Sequence, residues 1–178
     1  IPFDEGEKPP TLIQENEFIS PFQMIVNLYG IPRYREINPG YFTIITFPFL
    51  FGVMFGDIGH GTVLFLFAVY LCLYYDKLNK EKSILKPLLF GRYLLLIMGF
   101  FSVYCGLLYN DFLSIPVDFG SCYNITNLEG NRHANKNDGC NYKFGLDPVW
   151  YISTNELTFI NSMKMKLSVI LGVFQMVL

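Results

Sequence analysis

The sequence predicts an all-α polytopic membrane protein: a helical hairpin, two further membrane helices, and a long disordered or turn-rich loop. Three observations point there. The 178-residue chain is 52% hydrophobic and only 16% charged, against about 25% charged in an ordinary soluble domain. Residues 40–56 and 62–75 carry no charge, and they lack the polar stripe that a helix on a soluble core turns to water. These runs are continuous rather than alternating, which argues against a transmembrane β-barrel. A net charge of −2 gives no basis for nucleic-acid binding.

Residues 1–38 read as an aqueous linker containing one short helix. They hold Pro2, Pro9, Pro10, Pro21 and Pro32, with six acidic and three basic side chains. Phe18, Ile19, Phe22, Ile25 and Val26 recur at helical spacing. Ser20-Pro21 suits an N-cap and first helical position, and Gly30 ends the helix.

Residues 39–75 form the first membrane hairpin. Residues 39–56 would rise about 27 Å as a helix, just enough for a hydrocarbon core. Pro48 removes a backbone donor, which favours a kink near residues 46–49. Gly52 and Gly56 form a Gly-x-x-x-Gly pair that lets another helix approach closely. The polar turn 56–61, Gly-Asp-Ile-Gly-His-Gly, isolates Asp57 and His60 between the apolar runs. Tyr70, Tyr74 and Tyr75 mark the far end of the second helix, where tyrosines favour the water interface.

Residues 76–87 are a basic loop, and residues 88–110 a third membrane helix. Arg92 lies near its start, with a stem long enough to snorkel to the surface. Gly99, Ser102 and Gly106 give it a small-residue face. Residues 111–162 form a long loop rich in Gly and Pro, with no regular structure expected between positions 121 and 141. A fourth membrane helix starts near Met163 and is still running at Leu178. The chain opens on Ile1 and stops inside that run, so it reads as one section of a longer protein.

Charge bias sets the topology. The stretch 76–92 has five basic residues (Lys77, Lys80, Lys82, Lys86, Arg92) against two acidic, whereas the long loop has three basic (Arg132, Lys136, Lys143) against six acidic. With Arg33 and Arg35 before the first helix, the positive-inside rule puts the N-terminal part and the basic loop in the cytosol. The 56–61 turn and the long loop then face the other side, lumenal or extracellular. Lys164 and Lys166 run against the rule. Cys72 and Cys105 fall in apolar runs and read as small buried hydrophobes. Cys122 and Cys140 share the long loop, where a disulfide would close about 19 residues and contribute roughly 3 kcal/mol. Asn124-Ile-Thr126 in the same loop is a glycosylation sequon.

Asp57 and His60 are the candidate chemical site. At i and i+3 they share a helix face, and a carboxylate beside an imidazole at a membrane boundary can relay protons. The bland reading has Asp57 capping the second helix and His60 sitting at the interface; the two readings are compatible. Two ligands are too few for a metal, and His133, the other histidine, reads as a solvated loop residue. Gly-Asp-Ile-Gly-His-Gly lacks the Lys-Ser/Thr of a phosphate loop, no Gly-x-Ser-x-Gly occurs, and no cofactor is implied. Asn110-Asp111 reads as a helix end.

The run Phe42-Thr-Ile-Ile-Thr-Phe-Pro-Phe-Leu-Phe-Gly-Val-Met-Phe-Gly-Asp-Ile-Gly-His-Gly61 resembles the first membrane hairpin of the subunit a family of V-type proton ATPases. Further blocks match in order. Pro9-Pro-Thr11, Phe22 and Tyr29-Gly-Ile-Pro-Arg-Tyr-Arg-Glu-Ile-Asn-Pro39 resemble the approach to that hairpin. Gly91-Arg-Tyr-Leu-Leu-Leu-Ile-Met-Gly99 and Gly106-Leu-Leu-Tyr-Asn-Asp-Phe112 resemble its third helix. Tyr142-Lys-Phe-Gly-Leu-Asp-Pro-Val-Trp150 resembles its lumenal loop, and Asn161-Ser-Met-Lys-Met-Lys-Leu-Ser-Val-Ile-Leu-Gly172 the entry to its fourth helix. The stretch 121–141 shows no match.

The resemblance implies a non-hydrolytic stator subunit of a rotary, ATP-driven proton pump. It implies multi-pass insertion in a vacuolar or other acidified endomembrane, or in the plasma membrane. Its partners would be the proteolipid c-ring, the other V-type ATPase subunits, the lipid membrane and protons, which pass through two offset half-channels. The family's essential arginine lies late in the membrane domain and has no match here; Arg92 matches the start of the third helix instead. No catalytic residue is therefore assigned. Asp57 matches the acidic residue of the family's first lumenal turn and is the leading candidate for the exit path, with His60 second. Two other classes stand beside this reading: a secondary transporter with a broken-helix site at Pro48/Gly52, and a purely structural membrane anchor.

Overall fold

Helix α6 (Arg92–Tyr109) is the axis against which the other apolar helices pack. The computed structural model describes residues 12–33, 36–80, 86–117, 120–128, 131–142, 144–152 and 155–177. Pro2, Pro9, Pro10, Arg35 and Lys82 lie outside the described residues, as do the side chains of Lys80, Arg132, His133 and Lys143. The remaining helices are α1 (Ser20–Tyr29), α2 (Gly40–Phe55), α3 (Ile58–Leu73), α4 (Tyr75–Lys80), α5 (Lys86–Phe90) and α7 (Glu156–Val177).

Missing side chains let α6 meet α2 and α3 at short range. A Cβ on Gly52 would lie 2.8 Å from the Phe101 backbone, and one on Gly99 would lie 2.8 Å from the Phe65 backbone. One on Gly61 would sit 2.8 Å from Ser102 Oγ, and one on Gly106 only 2.5 Å from Ile58 N. Small residues on both sides of the contact thus set the interhelical distance, as in membrane helix pairs. Ser102, fully buried, donates to Phe55 O at 3.2 Å and ties α6 to the end of α2. Helix α2 runs through Pro48 without interruption, and Thr43 and Thr46 return their hydroxyls to Pro39 O and Phe42 O at 3.0 Å each.

Helix α1 starts differently from its sequence reading. Ser20 does not cap it: the N-cap is Ile19, and Ser20 Oγ donates to Glu15 Oε2 at 3.1 Å. Buried Gln23 then links α1 to the entry of α2, accepting from Asn38 Nδ2 at 2.8 Å, while Asn38 Oδ1 accepts from Gly40 N at 3.0 Å.

The fold is mostly helical but not all-α. A short pair joins β1 (Asp111–Phe112) to β2 (Ile115–Pro116). A second antiparallel hairpin joins β3 (Tyr123–Leu128) to β4 (Asn131–Lys136), in register from Tyr123↔Lys136 to Leu128↔Asn131. It occupies the stretch expected to lack regular structure. Polar composition hid it, because β3 alternates only over Tyr123-Asn-Ile-Thr126 and β4 does not alternate apolar and polar residues. Its base is fixed by tertiary means: Cys122 and Cys140 are joined by a disulfide with Cα atoms 5.6 Å apart, and Asn137 N donates to Cys122 O at 3.0 Å.

The segment after α6 folds back on that helix's end, where the last carbonyls of a helix lack intrahelical partners. Leu146 N donates to Leu108 O at 2.9 Å, and Tyr151 Oη to Tyr109 O at 2.9 Å. Gly145, at φ +77°, is required here, since a Cβ would meet Leu108 O at 2.3 Å. Asn110 ends α6 in the left-handed conformation (φ 54°), and its amide donates to Tyr142 Oη and Leu146 O.

Among the described residues, α6 is the one helix long and apolar enough to cross a membrane, where four such helices were expected. Helices α2 and α3 are apolar but 16 residues each. Helix α7 has 22 residues, and the basic side chains of Lys164 and Lys166 lie within it.

Candidate functional site

Asp57 is the N-cap of α3, in extended conformation (φ −149°, ψ 129°) between two helices. The sequence makes it so: Gly56 ends α2, and Gly59, within α3, leaves room for the Leu113 side chain that a Cβ would strike. Asp57 Oδ1 accepts from Gly59 N at 2.8 Å, the bond that defines a capping carboxylate. The same oxygen accepts from Leu113 N at 3.0 Å. One carboxylate therefore fastens the α2–α3 turn to the tip of the β1–β2 pair, 56 residues away in the chain. Its other oxygen, Oδ2, meets His60 Nδ1 in a short hydrogen bond.

The environments of the two side chains differ. The Asp57 side chain is 14% exposed and that of His60 60%. Burial alone would raise the Asp57 pKa, but hydrogen bonds from His60, Leu113 and Gly59 outweigh it and hold the carboxyl below the usual range. Asp57 is thus a fixed anion bonded to an imidazole that reaches solvent.

A second acid stands beside it. Asp111, at the start of β1, accepts from Ser114 N at 2.9 Å and faces Lys164 Nζ of α7 at 3.9 Å. Burial pushes the Asp111 carboxyl up; Lys164 opposes that shift and the Asp57 charge adds to it. Lys164 also lies over the Tyr109 ring, 4.7 Å from its centroid, and Tyr109 Oη donates to Val53 O at 3.0 Å. The α2–α3 turn, the end of α6, β1 and the first half of α7 therefore meet in one polar junction, closed beneath by Val53, Cys105 and Tyr109.

The sequence pattern of the V-type ATPase 116 kDa subunit family matches residues 2–178. The chain is 46% identical over 200 residues to the V-type proton ATPase 116 kDa subunit a 2 of Bos taurus, covering 96% of this chain and 23% of that protein. It is 47% identical to the V-type proton ATPase subunit a3 of Arabidopsis thaliana, covering 96% and 22%. It is 48% identical to the vacuolar proton translocating ATPase 100 kDa subunit of Dictyostelium discoideum, covering 94% and 21%. The chain belongs to the V-type ATPase 116 kDa subunit family. It spans under a quarter of the length of these curated relatives.

In this family member, the structure brings Asp57 and His60 together and joins Cys122 to Cys140. Asn124 lies exposed on β3, with its amide donating to Asn137 Oδ1 at 3.0 Å. Cys105 is buried against Tyr109, and Cys72 is half-buried. Among the described residues, no group of three His, Cys, Asp or Glu side chains gathers that could hold a metal.

Three residues of the 116 kDa subunit segment gain roles that sequence reasoning did not give them. Asp111 belongs to the junction as well as ending a helix. Asp147 is buried and accepts from Ser121 Oγ, Cys122 N and Val149 N at 2.8, 3.3 and 3.1 Å, pinning the disulfide to the Pro148–Ile152 turn. Arg92 does not snorkel to solvent. Its side chain is 8% exposed, donates to Glu17 at 2.8 Å, and stacks 3.7 Å from the Tyr75 ring centroid. A run of charge before an apolar helix was the signal for Arg92; its partner, 75 positions earlier, was invisible.

Proposed function

We propose that this segment is part of the membrane stator of a rotary proton-pumping V-type ATPase, packing near the proteolipid ring and lining the lumenal half-channel with Asp57 and His60. The observation that carries the proposal is family membership across residues 2–178. The relatives are named as proton ATPase or proton translocating subunits. In this reading the segment hydrolyses no ATP and works only with the other subunits of the complex in an acidified membrane compartment.

Exposed apolar surface supports a multi-pass arrangement. Phe42, Ile45, Val63, Leu66, Ile170 and Phe174, on three different helices, are each about 60% exposed or more. Large side chains this exposed on three apolar helices suit a surface turned to lipid rather than water. Helices α2 and α3 are each about 24 Å long, short for a ~30 Å core, and local bilayer thinning or the flanking polar turn would make up the difference. Positive-inside bias keeps α1 and the 76–87 loop in the cytosol and the Asp57 turn in the lumen. The Cys122–Cys140 disulfide fits an oxidising lumen. Continuity of α2 through Pro48 weighs against the transporter reading, because no unwound backbone is left to line a midplane site.

The chemistry of the junction suits a proton exit. Asp57 stays ionised and holds the adjacent imidazole at a solvent-facing position. In the full-length subunit within its complex, Asp57→Asn is expected to slow acidification of sealed vesicles several-fold while ATP binding persists. Asn keeps an acceptor oxygen for Gly59 and Leu113 but removes the charge. Unchanged acidification in both Asp57→Asn and Asp57→Ala would make Asp57 a cap alone, and the structural-anchor reading would then hold for this segment.

A further inference from the structure

We propose that the cavity between α1, α4, α5 and the start of α6 binds a phosphoethanolamine group, supplied by phosphatidylethanolamine in the adjoining leaflet. This rests on the membrane reading above. The cavity measures about 550 Å³, within the ~300–1,000 Å³ typical of small-ligand sites. Four ionised side chains line it: Glu15, Glu17, Lys86 and Arg92. Glu17 and Arg92 pair with each other at 2.8 Å, which leaves the Glu15 carboxylate and the Lys86 ammonium to face a ligand. A headgroup with net negative charge meets the carboxylate there, and one with net positive charge meets the ammonium. A zwitterion satisfies both.

The choice between zwitterions follows from the aromatic residues. A quaternary ammonium has no N–H and is held by open aromatic faces. The Tyr75 ring already carries the Arg92 guanidinium at 3.7 Å, and no aromatic cage remains in the lining. A primary ammonium instead donates three hydrogen bonds, and carboxylates are its natural acceptors. Glu15 accepts one bond, from Ser20 Oγ, and keeps further lone pairs. For the phosphate, Lys86 supplies an exposed ammonium, and Arg92, 8% exposed and already bonded to Glu17, adds only its charge to the wall. Position agrees as well. Arg92 opens a helix of membrane-spanning length, where headgroups lie, and Phe90, 43% exposed, gives the glycerol end an apolar edge.

The test uses the full-length subunit in its assembled complex, in vesicles doped with acyl-chain photoreactive phosphatidylethanolamine, phosphatidylcholine or phosphatidylglycerol. Crosslinks are mapped by mass spectrometry. The ethanolamine probe is expected to label the α5–α6 segment about tenfold more than the others, the effect of one charge-assisted interaction. Glu15→Gln should bring that labelling down to the choline level. Equal labelling by all three probes, or preference for phosphatidylglycerol, overturns the proposal. Loss of labelling on adding equimolar glycerophosphoethanolamine assigns the site to a soluble ester and overturns the lipid source. Choline-probe labelling of the exposed faces of α2, α3 and α6 reads the membrane arrangement separately. If no probe labels those faces, that arrangement fails and the headgroup site fails with it.

Discussion

Asp57 and Asp111 are two acids in one junction, and their environments push them in opposite directions. Asp57 has a folded pKa below the usual 3.8. Its hydrogen bonds therefore add stability that is complete above pH 3.8 and lost only as the pH falls through the lower folded value. Mild acidification that stays above pH 3.8 leaves this latch closed. Asp111 has a folded pKa above 3.8. Holding its charge costs the fold stability at neutral pH, and that cost disappears as the carboxyl protonates on acidification. Opposite outcomes follow for substitutions at the two acids. Asp57→Ala should lower thermal stability by about 1 kcal/mol at pH 7, the usual loss of a capping side chain, with a smaller deficit near pH 3. Asp111→Asn should raise the melting temperature at pH 7 and leave it unchanged near pH 3. Thermal scans of the complex in nanodiscs at both pH values decide this. A destabilised Asp111→Asn at pH 7 would show that its Lys164 contact dominates. Asp57 was legible in the sequence because an acid isolated in a glycine-rich turn is conspicuous. Lys164 was visible only as an exception to a charge rule, since its contact with Asp111 spans 53 positions.

At the scale of the element, α6 is defined by what it lacks. Gly106→Val would drive a side chain into the Ile58 and Asp57 backbone, which cannot rotate away. Overpacking of this kind costs roughly 1–3 kcal/mol. It should also displace the Asp57 cap, so thermal stability and vesicle acidification should fall together. Gly172, with open space around it, should accept Ala with no loss and serves as the control. The small-residue face of α6 was readable as a pattern; which helices it met was not, because Gly-x-x-x-Gly spacing specifies closeness and not a partner. The β3–β4 hairpin was not readable at all. Six backbone pairs and a disulfide hold a mostly polar ribbon whose alternation, confined to Tyr123-Asn-Ile-Thr126, is too short to announce it. Mass mapping without reductant should recover Cys122 joined to Cys140; free thiols at both positions contradict the structure.

For the whole molecule, the two polar junctions sit at opposite ends of α6: Arg92 with Glu17 and Tyr75 at its start, Asp57 with Leu113 near its end. Each ties a segment distant in sequence to the helix bundle. Glu17→Ala leaves the mostly buried Arg92 with only its aromatic and tyrosine-hydroxyl contacts. It should loosen α1, so limited proteolysis near residues 12–20 should speed up several-fold while cleavage in the β3–β4 hairpin stays constant. Topology has its own check. After mild reduction, a membrane-impermeant thiol reagent should reach Cys122 and Cys140 only from the lumenal side of sealed vesicles; labelling from outside reverses the proposed orientation.

Composition and the uncharged runs determined the helical class by themselves, because a helix satisfies its backbone hydrogen bonds within one segment and its apolar length shows in one stretch of sequence. Asp57 was local for the same reason: a cap and its helix are neighbours in the chain. The tertiary structure decided the rest. It set the Leu113 and Glu17 pairings, the packing of α6 between α2 and α3, the Asp111–Lys164 contact and the polar hairpin. All but the hairpin join groups dozens of residues apart, and no periodicity along the chain encodes which distant donor will satisfy a buried acceptor.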